Sequence, residues 1–490
     1  MSFSNHTHIL KNDGTLWGCG YNYYGQIGLG DTTNRKAFMQ ITANTNDIKS
    51  FYCGENYTIL LKNDGTLWAC GANVYGQLGL GDTTNRKTFA IISTNTNDVK
   101  SICCGNNYTF ILKNDGTLWG CGYNNSGQLG FGDTKDRKIF TKITDIYDIK
   151  SVYCGYGYTI ILKNDGTLWG CGSNGLGQLG LGNTNSKTAF TQITTNVDNI
   201  KSVYCGQNYT FILKNDGTLW GCGNNEYGQL GLGDTKNRKT FSIISTNTND
   251  IKSIYCGGYC SFILKNDGTL WGCGYNNGGQ LGLGDKTNRT TFTIISANTN
   301  DIKSVYCGGY HTLILKNDST LWGCGDNGYG QLGLEDVPNK TTLAQITKNG
   351  DNVKCFANDY SSPSTIKIYD TKIGYTETLD TNNFRNIPVN TVEKLKSLCI
   401  NPLNTHLNCL ISFDKKQTWK TFDGLNWNTI SDISPENIIV NGMALKDVNQ
   451  LDKNKLISGG FTGNLDFKIA MKTNNVNKTP SVTKIYIEYK

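Results

Sequence analysis

Methionine, proline and histidine are almost missing from this 490-residue chain, which holds four, six and four of them. The four histidines, His6, His8, His311 and His406, are too few and too scattered to act as a repeated general base. No Gly-x-Ser-x-Gly, no Gly-Lys-Ser/Thr phosphate loop and no His-Glu-x-x-His segment stands beside them. We therefore expect no catalytic residues, no cofactor and no enzyme. Also missing is any apolar run approaching the 18 or more residues of a membrane helix, so no membrane span is expected. The segment Met1–His8 lacks the basic start and apolar stretch of a secretory signal. We expect synthesis in the cytoplasm without a signal peptide; association with a virion or a cell surface stays open. The formal net charge of +7 is spread over both halves, and neither half is basic enough to argue for nucleic acid.

What is abundant is glycine, tyrosine and cysteine, at 58, 26 and 18 residues. The segment Lys-Asn-Asp-(Gly/Ser)-Thr-Leu-Trp returns with its tryptophan at Trp17, Trp68, Trp119, Trp169, Trp220, Trp271 and Trp322. A period of about 51 residues marks units whose apolar faces are covered only by their neighbours. Cysteines recur at two fixed positions, Cys19, Cys70, Cys121, Cys171, Cys222, Cys273 and Cys324, and Cys53, Cys104, Cys154, Cys205, Cys256 and Cys307. One thiol per unit at a fixed strand position reads as a small buried filler. No Cys-x-x-Cys pair has zinc spacing, so no metal site is expected.

Within the fifth unit, Ile200 to Cys205 alternates apolar and polar, and Tyr209 to Leu213 is aromatic and branched. Thr218 to Cys222 follows the Asn215-Asp216-Gly217 turn, and Thr240 to Ser245 follows a glycine-rich loop. Four short strands per unit, seven times over, imply an all-β, seven-bladed β-propeller over residues 1–356. The first unit lacks the strand equivalent to Ile200–Cys205, and Asp351-Asn352-Val353-Lys354 supplies its start at the other end. Pairing of N- and C-terminal strands is expected to close the ring.

The run Trp220-Gly-Cys-Gly-Asn-Asn225-Glu-Tyr-Gly-Gln229-Leu-Gly-Leu-Gly-Asp234, after an Asp-Gly hairpin and before Arg238, resembles the repeat of the regulator of chromosome condensation family. The resemblance covers Met1 to about Phe356 and implies a seven-bladed propeller. Its asparagines are Asn22, Asn73, Asn124, Asn174, Asn225, Asn276 and Asn327, and its glutamines Gln26, Gln77, Gln128, Gln178, Gln229, Gln280 and Gln331. The family's founding member is a nucleotide exchange factor for a small nuclear GTPase and acts through a wedge on one blade. Every unit here has 50 or 51 residues and no room for a wedge, so exchange activity is not implied.

The repeated asparagines and glutamines are expected to satisfy loop backbone. Arg35, Arg86, Arg137, Lys187, Arg238, Arg289 and Lys340 put a cation at one fixed position, and most of them are expected to pair with acids four residues earlier, Asp31, Asp82, Asp133, Asp234, Asp285 and Asp336. The lysines that open the hairpins, of which Lys11 is the first, read as solvated. The candidate binding residues are the tyrosines that vary between blades: Tyr21, Tyr23, Tyr24, Tyr75, Tyr123, Tyr227, Tyr275 and Tyr329 after the third strands, with Tyr156, Tyr259 and Tyr310 after the first. A flat ring with a polar tip suits protein contact or sugar stacking.

Residues 357–490 leave the repeat and read as a small β-rich, sandwich-like domain. Leu410 to Trp427 holds two strand-like stretches, and Ser412-x-Asp414-x-x-x-Thr418-Trp419 resembles an Asp-box turn, with Lys416 in place of its glycine. The stretch from Ile411 to Tyr489 is similar to β modules of Gram-positive phage tail and surface proteins. Together these readings describe a non-enzymatic recognition or adhesion protein. A propeller scaffold with an anchoring tail would bind a protein or surface glycan, as part of a larger assembly on a phage tail or bacterial surface. The alternative is an intracellular adaptor or regulator acting on a GTPase-like partner.

Overall fold

The computed structural model describes residues 5–356 except 46, 93–97, 245–249, 297–300, 336–338 and 348–352, together with the backbone of strands between 379 and 489. Seven four-stranded antiparallel sheets follow one another, all β, as the repeat implies. In the fifth, Ile200–Cys205, Tyr209–Lys214, Leu219–Gly223 and Arg238–Ile244 pair in chain order. The first strands of neighbouring blades lie against one another from the second blade to the seventh, so this strand is innermost and the Arg238-type strand outermost.

The tryptophan segment is a closed local unit. In the second blade Asp64 Oδ1 accepts the Thr66 amide at 2.8 Å and its hydroxyl at 2.7 Å, and that hydroxyl accepts Trp68 Nε1–H at 3.1 Å. All seven indoles make the same bond, at 2.9–3.1 Å. The hairpin lysines, expected in solvent, instead place their ammonium groups 4.2–5.5 Å from the indole centroids. A lysine pointing back along its hairpin meets the electron-rich ring face with its stem still wet. In the seventh hairpin Ser319 holds the left-handed turn position at φ 69° that glycine holds in the others.

The core lies between blades. Tyr57, Ile59, Leu61, Leu67 and Leu78 of the second blade pack with Ile102, Cys104, Ile111, Cys121 and Phe140 of the third. The Leu-Gly motif makes this approach possible: a Cβ on Gly79 would stand 2.4 Å from the Phe140 ring of the next blade. The repeat cysteines are free and buried, as a small apolar filler should be. The buried tyrosines carry a blade-to-blade chain of hydrogen bonds. Tyr57 donates its hydroxyl to Tyr108 O at 2.6 Å, Tyr108 to Tyr158 O at 2.5 Å and Tyr209 to Cys260 O at 2.7 Å; Tyr158 donates likewise to Tyr209 O.

The ring closes through the amino-terminal strand. His6–Lys11 pairs with Leu16–Gly20 on one side and with Val353–Phe356 on the other, so one blade takes strands from both ends of the repeat region. Thr7 Oγ1 donates to Gln331 O of the seventh blade at 2.7 Å, matching the Thr58 to Gln26 and Thr109 to Gln77 bonds elsewhere. Gly333 receives Phe38 in the same seam.

The chain divides into a unit Met1–Pro363 and a unit Ser364–Lys490. In the second, Thr405–Ser412 pairs with Asn464–Thr473 and with Trp419–Phe422, which pairs with Trp427–Ile430. The Asp-box residues between Ser412 and Trp419 lie outside the described residues.

Deleting residues 1–12 removes a paired strand and the Thr7 bond, and we expect the melting temperature to fall by more than about 10 °C. An unchanged calorimetric transition would refute the closure. Tyr108→Phe leaves the Tyr158 carbonyl short of a buried donor and is expected to cost about 1–2 kcal/mol in chemical denaturation.

Candidate functional site

Because neighbouring strands alternate in direction, the loops segregate to two faces. The short turns after the innermost strands (54–56 in the second blade) and the long loops after the third strands (72–85) share one face. The Asn-Asp-Gly hairpins occupy the other. All the candidate tyrosines therefore fall on the loop face.

The asparagines and glutamines of that face are internal struts. Asn73 Oδ1 accepts the Leu78 amide at 3.0 Å, and its Nδ2 donates to the Asp82 carbonyl and carboxylate, both at 3.1 Å. Gln77 Oε1 accepts the Tyr75 amide at 3.1 Å. Asn22, Asn124, Asn174, Asn225 and Asn276 repeat the asparagine pattern, and every glutamine of the set is buried. These side chains hold the loop backbone, although Gln229 Nε2 and Gln280 Nε2 are buried without a hydrogen-bond partner among the described residues. The rim cations also pair locally: Arg86 with Asp82 at 2.5 Å, Arg137 with Asp133 at 2.7 Å, Arg238 with Asp234 and Arg289 with Asp285 at 2.6 Å, and Arg35 with Asp31. Lys187 follows Asn183 and has no such acid; Asp336, expected to pair with Lys340, lies outside the described residues.

The tyrosines gather into three groups. Tyr21 stacks on Tyr23 at 6.4 Å, meets Tyr24 at 6.3 Å and reaches across the closing seam to Tyr329 at 5.0 Å. Tyr75 meets Tyr123 at 4.5 Å across the second and third blades. Tyr227 and Tyr275, 4.9 Å apart, join Tyr259 and Tyr310 across the fifth to seventh blades. The long loop of the fourth blade carries Ser173 and Leu176 in place of tyrosines, and that blade contributes Tyr156 from its short turn. Each ring covers its neighbour, yet Tyr23 keeps 65% of its surface in solvent, and Tyr329, Tyr310 and Tyr156 stay exposed. Edge and tilted pairs add to the burial of each ring and hold the group in place.

Nearer the axis the short turns of successive blades are joined by backbone bonds: Glu55 N to Asn106 O at 3.4 Å, Tyr156 N to Gln207 O at 3.0 Å and Gly258 N to Gly308 O at 3.3 Å. Glu55 was not visible as a candidate in the sequence, where one glutamate in a glycine turn carries no pattern. Burial pushes its carboxyl up from an ordinary 4.5 to about 7. Burial also raises the Tyr21 and Tyr156 hydroxyls, and the Glu55 charge adds to both effects. The loop face thus combines aromatic rings with one carboxyl that titrates near neutrality.

One set of potential metal ligands lies in the first seam. His6, His8 and Cys53 bring their donor atoms within 4.8 Å of one another, all buried. His8 Nε2 donates to Ile27 O at 3.2 Å, which leaves Nδ1 to accept the Cys53 thiol at 3.7 Å, and His6 Nε2 lies 3.2 Å from Thr58 Oγ1. Burial holds His8 down near 4 and the Cys53 thiol up near 12, which favours their neutral forms, and the two are joined by a hydrogen bond.

The folded Glu55 carboxyl holds its proton to higher pH than the unfolded one, so its burial makes the fold lose stability as pH rises from about 5 to above 7. Glu55→Gln is expected to flatten that part of the stability profile and to gain about 2 kcal/mol at pH 8. Parallel profiles for the two proteins would refute this.

Comparison with known proteins agrees with this geometry. Residues 13–61, 64–112 and 115–162 match the regulator of chromosome condensation (RCC1) repeat, and residues 145–368 match the RCC1-like domain. The ultraviolet-B receptor UVR8 of Arabidopsis thaliana is 31% identical over 67% of this chain and 64% of its own length. Protein RCC2 of Homo sapiens is 28% identical over 71% of this chain and 62% of its own. The human X-linked retinitis pigmentosa GTPase regulator is 35% identical over 63% of this chain and 31% of its own. The chain thus spans somewhat under two thirds of the length of the first of these relatives and less of the last. Among solved structures, yeast RCC1 (Prp20) bound to Kap60 superposes with a TM-score of 0.62 at 20% identity, over 71% of this chain and 85% of that one. Human WBSCR16 gives 0.60 at 20% identity, over 70% and 95%. The propeller of this chain therefore belongs to the regulator of chromosome condensation (RCC1) repeat family.

Proposed function

We propose that this chain is a non-enzymatic protein-recognition scaffold of the regulator type, which docks a protein partner on its loop face. The observation that carries the reading is the partial circle of tyrosines, clustered three ways yet exposed at Tyr23, Tyr156, Tyr310 and Tyr329. Rings fixed by one another lose little freedom on binding and offer apolar area with a polar tip, the composition of interface cores. The repeated asparagines and glutamines of the same face are buried and bonded mostly to their own loops, which favours a surface contact over a hydrogen-bonding small-molecule pocket.

Between the two functional expectations, the adaptor or regulator acting on a GTPase-like partner has more support than adhesion on a phage tail or bacterial surface. Relatives carry names such as GTPase regulator and ultraviolet-B receptor, and none of the proteins compared above is named as a tail or adhesion protein. A surface glycan draws no separate support from the geometry.

The test is binding of the full chain to a panel of purified small GTPases in both nucleotide states, compared with Tyr23→Ala/Tyr156→Ala/Tyr310→Ala on the loop face. A partner that binds the wild type and loses about tenfold or more in affinity to the variant, with melting unchanged, supports the reading. Equal affinity for both proteins would remove the loop face as the docking surface.

A further inference from the structure

The inner strands carry a second pattern, on the opposite face. At the second residue of every innermost strand stands a lysine: Lys49, Lys100, Lys150, Lys201, Lys252, Lys303 and Lys354. These strands start at the hairpin face and lie next to one another about the axis, so the seven lysines form one circle around that end of the central channel. All seven are exposed. Their number equals the formal net charge of the whole chain, +7, so the remaining charged residues balance.

We propose that this circle is a binding site for one compact polyanion bearing several phosphate groups. Three observations lead there. First, neighbouring positions lie within reach of one another: Lys100 Nζ donates to Lys150 O at 3.0 Å and Lys303 Nζ to Lys354 O at 2.9 Å, so at these two junctions an ammonium group of one blade reaches the same position of the next. Second, the circle is uncompensated. Among the described residues none of the seven has a carboxylate within 4 Å, although an acid or asparagine lies two positions before each. Acids near the circle turn outward to the hairpins: Asp301 meets Lys316 at 3.1 Å and Asp148 accepts Asn164 Nδ2 at 2.6 Å, while Asp198, three positions before Lys201, meets Lys214 at 2.8 Å. Third, one lysine of the circle feels its neighbour. The Lys100 ammonium is pulled below its ordinary value by burial first and by the Lys150 charge second.

Seven like charges on one circle within a few Debye lengths raise the potential most on the axis, where their fields add. An anion placed there faces all seven at once and relieves their mutual repulsion. A compact polyphosphate directs charge all round and matches this geometry, whereas a long linear polyanion lying across the opening meets two or three lysines at a time. Lysine suits the role because its flexible stem lets the ammonium follow a phosphate that is not fixed in one plane.

The full chain is titrated calorimetrically with inositol hexakisphosphate and with inorganic tripolyphosphate, at low and at physiological salt. Expected are one anion bound per chain, affinity that falls with salt, and a higher melting temperature in its presence. Lys49→Gln/Lys150→Gln/Lys252→Gln should weaken binding by about tenfold or more. Lys36→Gln/Lys87→Gln/Lys138→Gln, which removes equal charge from exposed outer-strand positions, should leave it unchanged. Melting in the absence of anion checks that both variants fold. No binding at low salt, several anions per chain, or equal loss in the two variants would overturn the site. A DNA duplex that binds more tightly than either phosphate compound would also overturn it, by placing the attraction on the whole surface.

Discussion

A buried tyrosine hydroxyl that must find a partner sets the spacing of the blades. Tyr57, Tyr108, Tyr158 and Tyr209 are fully enclosed, and each hands its proton to a backbone carbonyl of the following blade. The threonine or serine after the tyrosine position stands beside that hydroxyl while donating its own hydrogen to a glutamine carbonyl: Thr109 Oγ1 lies 3.0 Å from the Tyr57 hydroxyl and Ser261 Oγ 3.0 Å from that of Tyr209. An enclosed hydroxyl without such partners costs more than the bond returns, so neighbouring blades cannot drift apart or slide without breaking several bonds together. The glycine-to-phenylalanine contacts and the inter-blade cores are set at that distance.

Much of this was legible because it repeats. The tryptophan spacing, the Asn-Asp-Gly turn and the missing first strand are periodic or countable, and they led to seven blades and to the closing pair between His6–Lys11 and Val353–Phe356. The role of the asparagines and glutamines also followed, since side-chain amides in glycine-rich loops have backbone to satisfy. The hairpin lysines were misread because a lysine in a polar turn gives no sign that an indole face lies above it. Glu55 escaped notice because only burial makes it unusual, and burial at an inner turn depends on six other blades. The Lys49 series was hidden differently: as one charge in an alternating strand it looks like an ordinary solvated residue, and only the ring brings seven of them to the same end of adjacent inner strands.

The two faces are thus chemically opposite. On one, rings crowd together around a carboxyl of raised affinity for protons; on the other, ammonium groups surround the channel while tryptophan hairpins stand outside them. Nothing in the strand framework distinguishes the faces, since every blade runs through both. The difference comes from a few positions per repeat, which change without disturbing the seams because their side chains leave the sheet at its ends.

Closure by His6–Lys11 also orders the birth of the molecule. Among the blade strands it leaves the ribosome first, and its partner Val353–Phe356 emerges last. At ordinary rates of synthesis the interval is on the order of tens of seconds, during which one edge of the first sheet stands unpaired. Blades in between can form against their predecessors as they appear, but the circle becomes a circle only when translation has passed the last of them. The earliest of the blade strands is therefore the last to reach its final pairing.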